Sequence, residues 1–166
     1  MRDSHCGFCG ARFTTEAWPR TCGACGNVTY RNPIPVAVAL VPVHATGAQV
    51  GLLVVRRDIE PKRGQLALPG GFIDFGESWQ SAVARELFEE TGVRIDPRGV
   101  REHMVRSTDN GRLVVFGLTV EIAEHDLAPF VRNDEVSERS IVRAPIELAF
   151  PTHTEAMRAF FERRAA

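Results

Sequence analysis

The feature that most constrains this 166-residue chain is a predicted helix whose carboxylates share one face. Apolar residues within Ser78–Thr91 recur at three-to-four spacing, and Gly92 follows as a stop signal. On this helix Glu86, Glu89 and Glu90 stand at i, i+3 and i+4, so their carboxylates lie on one side. Crowded like charges are unfavourable unless a cation lies between them, and Mg²⁺ prefers oxygen ligands. The spacing alone leaves two interpretations open, a solvated acidic face and a divalent-metal site.

The residues that flank these carboxylates extend the pattern over positions 71–93. Gly71 is followed after five residues by Glu77, and after seven more by the pair Arg85-Glu86. The whole segment resembles the Nudix box, Gx5Ex7REUxEExGU with U aliphatic, at each specified position. The resemblance implies an α/β fold, an α/β/α sandwich with a mixed sheet. It also implies an enzyme that hydrolyses a nucleoside diphosphate linked to another group.

The resemblance further implies which residues hold the metal. Glu86, Glu89 and Glu90 would bind Mg²⁺ or Mn²⁺, and in the family the backbone carbonyl of Gly71 often joins them. Two or more such ions neutralise a diphosphate and lower the pKa of a bound water. Positioning and charge stabilisation supply most of the catalysis in phosphoryl transfers of this kind.

Arg85 follows Glu77 by eight residues, about two helical turns. We expect the two side chains to pair, which would pin the loop before the helix to the helix itself. The residues expected to take part in catalysis are Glu89, Glu90, Glu135 and Arg85.

A later acidic segment, residues 133–138, offers Asp134, Glu135 and Glu138 as further carboxylates, and a solvated loop is the alternative interpretation. Glu135 matches the first Glu of an E-x-x-E segment in Nudix hydrolases that carry a zinc ribbon, and we favour it as the general base. In that group an aromatic usually follows the second Glu by three residues, but Ile141 stands there in this chain. Glu138 and a glutamate of the box therefore remain alternative bases.

Two CxxC pairs lie near the N-terminus, Cys6 with Cys9 and Cys22 with Cys25, and twelve residues separate them. Structural Zn²⁺ takes four tetrahedral ligands, and this spacing resembles a zinc ribbon. Two disulfides would need an oxidising compartment, and a redox-active CxxC normally comes as one pair. Because four thiolates leave no open coordination position, we expect a structural zinc rather than a catalytic one.

Composition changes near Asn32-Pro33 and predicts two domains, a zinc ribbon over residues 1–32 and a Nudix domain over residues 33–166. The first part carries four arginines and two acids, and the second carries 16 bases and 19 acids. The resulting excess of two positive charges in the ribbon is small for gripping a nucleic acid, which needs several phosphates neutralised.

Apolar patterning elsewhere predicts strands and a second helix. The predicted strands are Pro35–Val43, Gln49–Arg57, Leu66–Leu68 and Leu113–Ile122. The second helix is predicted to begin at Thr152, with Glu155 completing a capping box. Two residues near the expected pocket are candidate substrate contacts. Arg56 could reach a phosphate and Phe116 could stack on a base, with solvent exposure and core packing as the alternatives.

A zinc ribbon joined to a Nudix box resembles the NADH pyrophosphatases, but residues 105–113 lack the SQPWPFP-type array of that group. We therefore expect cleavage of the pyrophosphate bond of a small nucleoside diphosphate derivative, with NAD(H) or ADP-ribose as the model substrates. The alternatives are hydrolysis of NAD-capped RNA and a non-catalytic ligand sensor whose ribbon binds nucleic acid. The longest apolar run is far shorter than the ~20 residues of a membrane span. We expect a cytoplasmic protein, and a homodimer because the group is often dimeric.

Overall fold

The computed structural model describes residues 3–47 and 49–165. The chain divides into two compact units, residues 1–33 and 34–166. The division lies next to the change of composition at Asn32-Pro33. Among the described residues, no helix combines the length and the apolar character that crossing a bilayer requires.

The first unit is built on a short hairpin and two cysteine-bearing turns. Strand β1, Arg20–Thr21, pairs antiparallel with β2, Val28–Thr29. Cys6 and Cys22 are buried, while Cys9 and Cys25 are exposed. Among the described residues of this unit, the buried apolar side chains are therefore those of two cysteines rather than aliphatic residues.

In the second unit, strands precede and follow helix α1, Trp79–Thr91, along the chain. The unit ends in helix α2, Pro151–Ala165. Its strands are β3 Ile34–Leu40, β4 Pro42–His44, β5 Gly51–Arg57, β6 Leu66–Ala67, β7 Gly70–Phe72, β8 Arg101–Ser107, β9 Arg112–Leu118, β10 Ile122–Ala123 and β11 Val136–Val142. Short 3₁₀ turns lie at Pro97–Gly99 and Glu124–Asp126.

These strands form two sheets in the orders β7-β3-β9-β8 and β10-β4-β5-β11, with β6 paired to β5. Strand β3 runs parallel to β9 and β10 runs parallel to β4, while the remaining pairs are antiparallel. The backbone N–H of Leu53 in β5 donates to the carbonyl of Val41, which extends the pairing of β4 with β5 by one residue toward the end of β3.

Alternate residues of β3 face two different cores, so a helix lies on each side of the strands. One core combines β3 and α1 residues, among them Ala37, Ala39, Ala82, Val83 and Leu87. The other combines β3 and α2 residues, among them Val38, Leu40, Met157, Phe160 and Phe161. The predicted α/β/α fold with a mixed sheet is confirmed.

The apolar run Pro35–Val43 forms two strands rather than the one predicted. Strand β3 ends at Leu40, and β4 begins at Pro42 in the other sheet. Proline lacks the N–H that a continuing ladder would need, so the chain changes sheets at this point. The predicted strand Leu113–Ile122 is likewise divided between β9 and β10.

The predicted start of α2 is wrong. The helix begins at Pro151, whose fixed φ suits the first helical position. Glu155 pairs with Arg106 at 2.6 Å instead of closing a capping box on Thr152. Strands β8 and β11 escaped prediction because their many charged residues hide the alternation of apolar side chains.

Candidate active site

Helix α1 begins and ends where its local signals predict. The hydroxyl of Ser78, the N-cap, accepts a hydrogen bond from the backbone N–H of Ser81 at 3.1 Å. Gly92 takes a left-handed conformation with φ 74°, and its N–H donates to the carbonyl of Phe88. These caps satisfy backbone groups that helix ends leave unpaired, and they fix the face that carries the carboxylates.

Glu86 lies directly against the backbone of β7. A Cβ on Gly71 would lie 2.5–2.6 Å from the carboxylate atoms of Glu86, so any other residue at position 71 would displace that carboxylate. Burial raises the pKa of Glu86 above its usual range, although Arg85 acts in the opposite direction. The structure therefore brings two predicted metal-binding residues, Gly71 and Glu86, into contact.

Arg85 lies at the centre of the acidic face. Its Nε and Nη2 each donate at 3.0 Å to one oxygen of Glu77, which makes the predicted pair bidentate. Its Nη1 donates to Glu86 at 2.8 Å and to Glu89 at 3.0 Å. Nη2 also donates to the carbonyl of Phe72. Hydrogen bonding to Arg85 lowers the pKa of Glu77, and the guanidinium ties β7 and the following loop to the helix.

Glu90 is the most buried of the three helix carboxylates, with 7% of its surface exposed. It accepts a hydrogen bond from the backbone N–H of Gly70 at 3.1 Å. Burial raises the pKa of Glu90 to about 8, and the charges of Glu86 and Glu135 act in the same direction. The cation of Arg57 opposes this shift. A buried carboxylate in such surroundings favours a cation as partner.

The carboxylates of the later acidic segment, residues 133–138, have different surroundings. Glu135 lies close enough to the helix for its charge to raise the pKa of Glu86 and Glu90. Glu138, in β11, instead accepts a hydrogen bond from the Nε of Arg56 at 2.7 Å. The third candidate base of this segment, Asp134, is exposed.

The three helix carboxylates are not gathered around one point. Within the described part of the chain, one group of three or more His, Cys, Asp or Glu side chains has all its ligand atoms within 4.8 Å of one another, and it is the cysteine cluster. Arg85 bonds to Glu86 and Glu89, while Glu90 turns toward Gly70. A cation bound at this face would therefore share Glu86 and Glu89 with Arg85.

The side chains of both predicted substrate contacts already have partners within the protein. Phe116 is fully buried and packs edge-on against the ring of His153, with 5.6 Å between centroids. Phe116 therefore packs in the core, the alternative that the sequence left open for it. Arg56 is held by Glu138 and by the carbonyl of Gly64.

Two residues of this region were not predicted from the sequence. Asn133 connects the end of α1 to the segment of Glu135, and its signal is weak, an asparagine before an acidic turn. The Nδ1 atom of buried His153 accepts the backbone N–H of Leu68, just before the box. No sequence pattern distinguishes this histidine from the other four.

The cysteine sulfurs of the first unit form a compact cluster. Sγ–Sγ distances are 3.8 Å for Cys6 and Cys25 and 3.6 Å for Cys9 and Cys22, and all four thiols are free. Four sulfurs about 2.3 Å from one tetrahedral ion would lie about 3.8 Å apart. Hydrogen bonds from the backbone and side chain of Asn27 lower the pKa of Cys25 to about 6, which favours its thiolate. A hydrogen bond from the backbone of Ala11 lowers the pKa of Cys9, but the neighbouring thiols raise it further, so the two exposed cysteines shift in opposite directions.

Curated relatives match part of the chain. The NAD-capped RNA hydrolase NudC of Haemophilus influenzae is 35% identical over 92 residues, which are 54% of this chain and 34% of that protein. The ADP-ribose pyrophosphatase of Methanocaldococcus jannaschii is 48% identical over 42 residues, 25% of either chain. This chain thus spans well under two thirds of the length of these relatives.

Solved structures match over a larger share. A NUDIX hydrolase from Nitrosomonas europaea has a TM-score of 0.73 at 21% identity, covering 98% of this chain and 92% of that one. A MutT/nudix family protein from Enterococcus faecalis has a TM-score of 0.70 at 23% identity, covering 82% and 63%. At these identities the likeness shows a shared fold.

A family model of the NUDIX domain matches residues 33–163, which include all of the carboxylate helix and the two cores on either side of the strands. With the fold, the box segment and the family model in agreement over most of its length, this chain belongs to the NUDIX family.

Proposed function

We propose that this protein is a divalent-metal-dependent hydrolase that cleaves the pyrophosphate bond of a nucleoside diphosphate derivative, with NAD(H) or ADP-ribose as model substrates. The observation that carries the proposal is the acidic face of α1, where Glu86 and buried Glu90 lie beside the glycines of β7. Two relatives are named NAD-capped RNA hydrolase and ADP-ribose pyrophosphatase, which supports cleavage of the same type of bond.

Glu86, Glu89, Glu90 and the carbonyl of Gly71 are the residues that would hold Mg²⁺ or Mn²⁺. They fit a hard cation because they offer oxygen donors, and because burial raises the pKa of Glu86 and Glu90 in the absence of a sufficient counter-charge. When bound, the cation neutralises the diphosphate oxygens and lowers the pKa of a bound water.

The remaining catalytic work falls to Arg85 and Glu135. Arg85 holds the loop before α1 through Glu77 and the carbonyl of Phe72, which fixes Gly71 against the helix. A carboxylate oxygen of Glu135 accepts a proton from the attacking water. The water oxygen bonds to phosphorus as the bond from phosphorus to the bridging oxygen breaks, and the leaving phosphate takes that electron pair. Glu138 is less suited to be the base, because Arg56 holds it.

We also propose that residues 1–32 form a zinc ribbon in which the four cysteines hold one structural Zn²⁺. The sulfur separations of 3.6–3.8 Å match a tetrahedral site. The cluster leaves no open position for a substrate, so the zinc would support the fold of this unit and not the hydrolysis.

NAD-capped RNA is a second candidate substrate, favoured by the names of the NudC relatives. The same bond is cleaved in the cap and in free NAD, so the two are distinguished by preference rather than by mechanism. We also propose a cytoplasmic location, and the resemblance to the zinc-ribbon group adds a homodimer as one possible assembly.

A panel of dinucleotides, sugar nucleotides and NAD-capped RNA, each supplied with Mg²⁺ or Mn²⁺, tests the proposal. Release of a mononucleotide, read by chromatography and abolished by EDTA, is the expected result. Binding of ADP-ribose without release of any mononucleotide would contradict hydrolysis and favour a ligand sensor.

A further inference from the structure

Asn133 links the C-terminal end of α1 to the segment that carries Glu135. Its Nδ2 donates to the carbonyl of Glu89 at 3.0 Å and lies 3.4 Å from that of Glu90. Its Oδ1 accepts the backbone N–H of Glu135 at 3.0 Å and that of Val136 at 2.8 Å. One planar amide therefore bonds to both elements at once.

The partners of this amide leave the segment little freedom. The last carbonyls of a helix have no partner within the helix, so Asn133 satisfies groups that would otherwise need water. The contact from Oδ1 to the N–H groups two and three residues ahead is a turn that holds residues 133–136 in one conformation. The backbone N–H of Asn133 also donates to the carbonyl of Val136, and the carbonyl of Glu135 accepts the N–H of Asp58 at 2.7 Å.

We propose that Asn133 is a positioning residue that fixes the carboxylate of Glu135 relative to the carboxylates of α1. The inference rests on the proposed function, in which Glu135 takes a proton from the attacking water. In the proposed mechanism Asn133 contacts neither the substrate nor the side chains that would hold the metal. It acts through the backbone of Glu89 on one side and the backbone of Glu135 on the other.

A general role in stability is the competing explanation, and Arg139 supplies the matched control for it. Its Nη1 donates to the carbonyl of Thr91 at 2.9 Å and its Nη2 to that of Ala128 at 2.6 Å. Arg139 thus holds the same end of α1 without a bond to Glu135. Loss of Arg139 should weaken the fold, but its effect on turnover should not depend on whether Glu135 is present.

A double-mutant cycle on the full chain separates the two explanations. Asn133→Ala should lower kcat for ADP-ribose by about 10- to 100-fold, the range seen when supporting residues of a site are removed, with a much smaller change in KM. In a Glu135→Gln background the same substitution should lower kcat by about twofold or less, because the group it positions has gone. Arg139→Gln should have equal effects in both backgrounds.

Equal loss of kcat from Asn133→Ala in both backgrounds would overturn the proposal. A second readout needs no turnover, since bound Mn²⁺ broadens the NMR signals of nearby amides. The amide of Glu135 should broaden strongly in the wild type and weakly in Asn133→Ala, and equal broadening in both proteins would also overturn the proposal. A wild-type protein that hydrolyses nothing in the panel would contradict the proposed hydrolase, and the Mn²⁺ readout would still decide the role of Asn133.

Discussion

The sulfur cluster of the first unit and the carboxylate face of the second are both candidate metal sites, but the chain assembles them to different degrees. The four sulfurs already lie within 4.8 Å of one another. On the helix, Arg85 instead bonds to Glu86 and Glu89, and Glu90 turns to the backbone of Gly70. The sulfurs come together because two CxxC turns beside a short hairpin carry them, whereas each carboxylate of the helix has a protein partner of its own. The cysteine cluster therefore depends on local turns, and the carboxylate face depends on partners drawn from several elements.

Removing one carboxylate from the helix should have the largest effect. Glu89→Gln and Glu90→Gln should each lower turnover by about a hundredfold or more, because the charge that holds the cation is lost. Initial rates of mononucleotide release at one fixed Mg²⁺ concentration measure this, with Glu162→Gln on the exposed side of α2 as the control. Unchanged turnover in either helix variant would contradict the metal assignment.

The cysteine cluster should respond to a different substitution. Cys22→Ser should lower zinc from about one ion per chain to near none, whereas Glu89→Gln should leave the zinc content unchanged. Elemental analysis of purified protein measures both. Wild-type protein that carries two disulfides and no zinc would contradict the zinc assignment.

Arg85→Gln should show how far the guanidinium takes the place of the metal ion beside these carboxylates. Without it Glu77 and Glu86 lose their partner, and we expect the free energy of unfolding in EDTA to fall by about 2–3 kcal/mol. Mg²⁺ should then stabilise the variant more than it stabilises the wild type, since the ion no longer competes with Arg85 for Glu89. Urea denaturation with and without Mg²⁺ measures the difference. Equal stabilisation of both proteins would mean that Arg85 and the metal do not share ligands.

The smallest effect involves the titration of His153, a residue of the second unit. Burial lowers its pKa from 6.5 to about 3, and its Nδ1 accepts the N–H of Leu68. The unfolded chain therefore binds a proton that the folded chain rejects, so this contribution to stability is full above pH 6.5 and falls as the pH drops toward 3. Between about pH 7 and pH 5 the loss should be about 2 kcal/mol.

Urea denaturation at the two pH values measures this loss. His153→Gln keeps an acceptor for Leu68 but cannot titrate, so its stability should fall by about 2 kcal/mol less than that of the wild type over the same range. An equal fall in both proteins would assign the acid sensitivity to other groups.

Features with local causes could be predicted from the sequence. Helix α1 has its cap at Ser78, its stop at Gly92 and its carboxylates at fixed helical spacing, so its limits and its acidic face follow from neighbouring residues. The cysteine cluster is equally local, because each CxxC turn aims two sulfurs to one side. The contact of Arg85 with Glu77 was also predicted, although it forms because Glu77 lies before the helix, in a loop that returns to it.

Features that depend on distant partners could not be predicted. The break at Pro42 depends on which sheet receives β4, and the burial of Phe116 depends on α2, which brings His153 against its ring. The sequence predicts that Glu86, Glu89 and Glu90 share a face but not that Arg85 bonds to two of them. Asn133 matters only because the fold places its turn on the last carbonyls of α1.

Binding of Mn²⁺ to zinc-loaded protein, followed by electron paramagnetic resonance, shows whether the carboxylate helix holds a metal. We expect the wild type to bind Mn²⁺, Glu90→Gln to bind it at least about tenfold more weakly, and zinc to stay bound throughout. Equal Mn²⁺ affinity in the two proteins would contradict the claim that the carboxylate helix is the site of the catalytic metal.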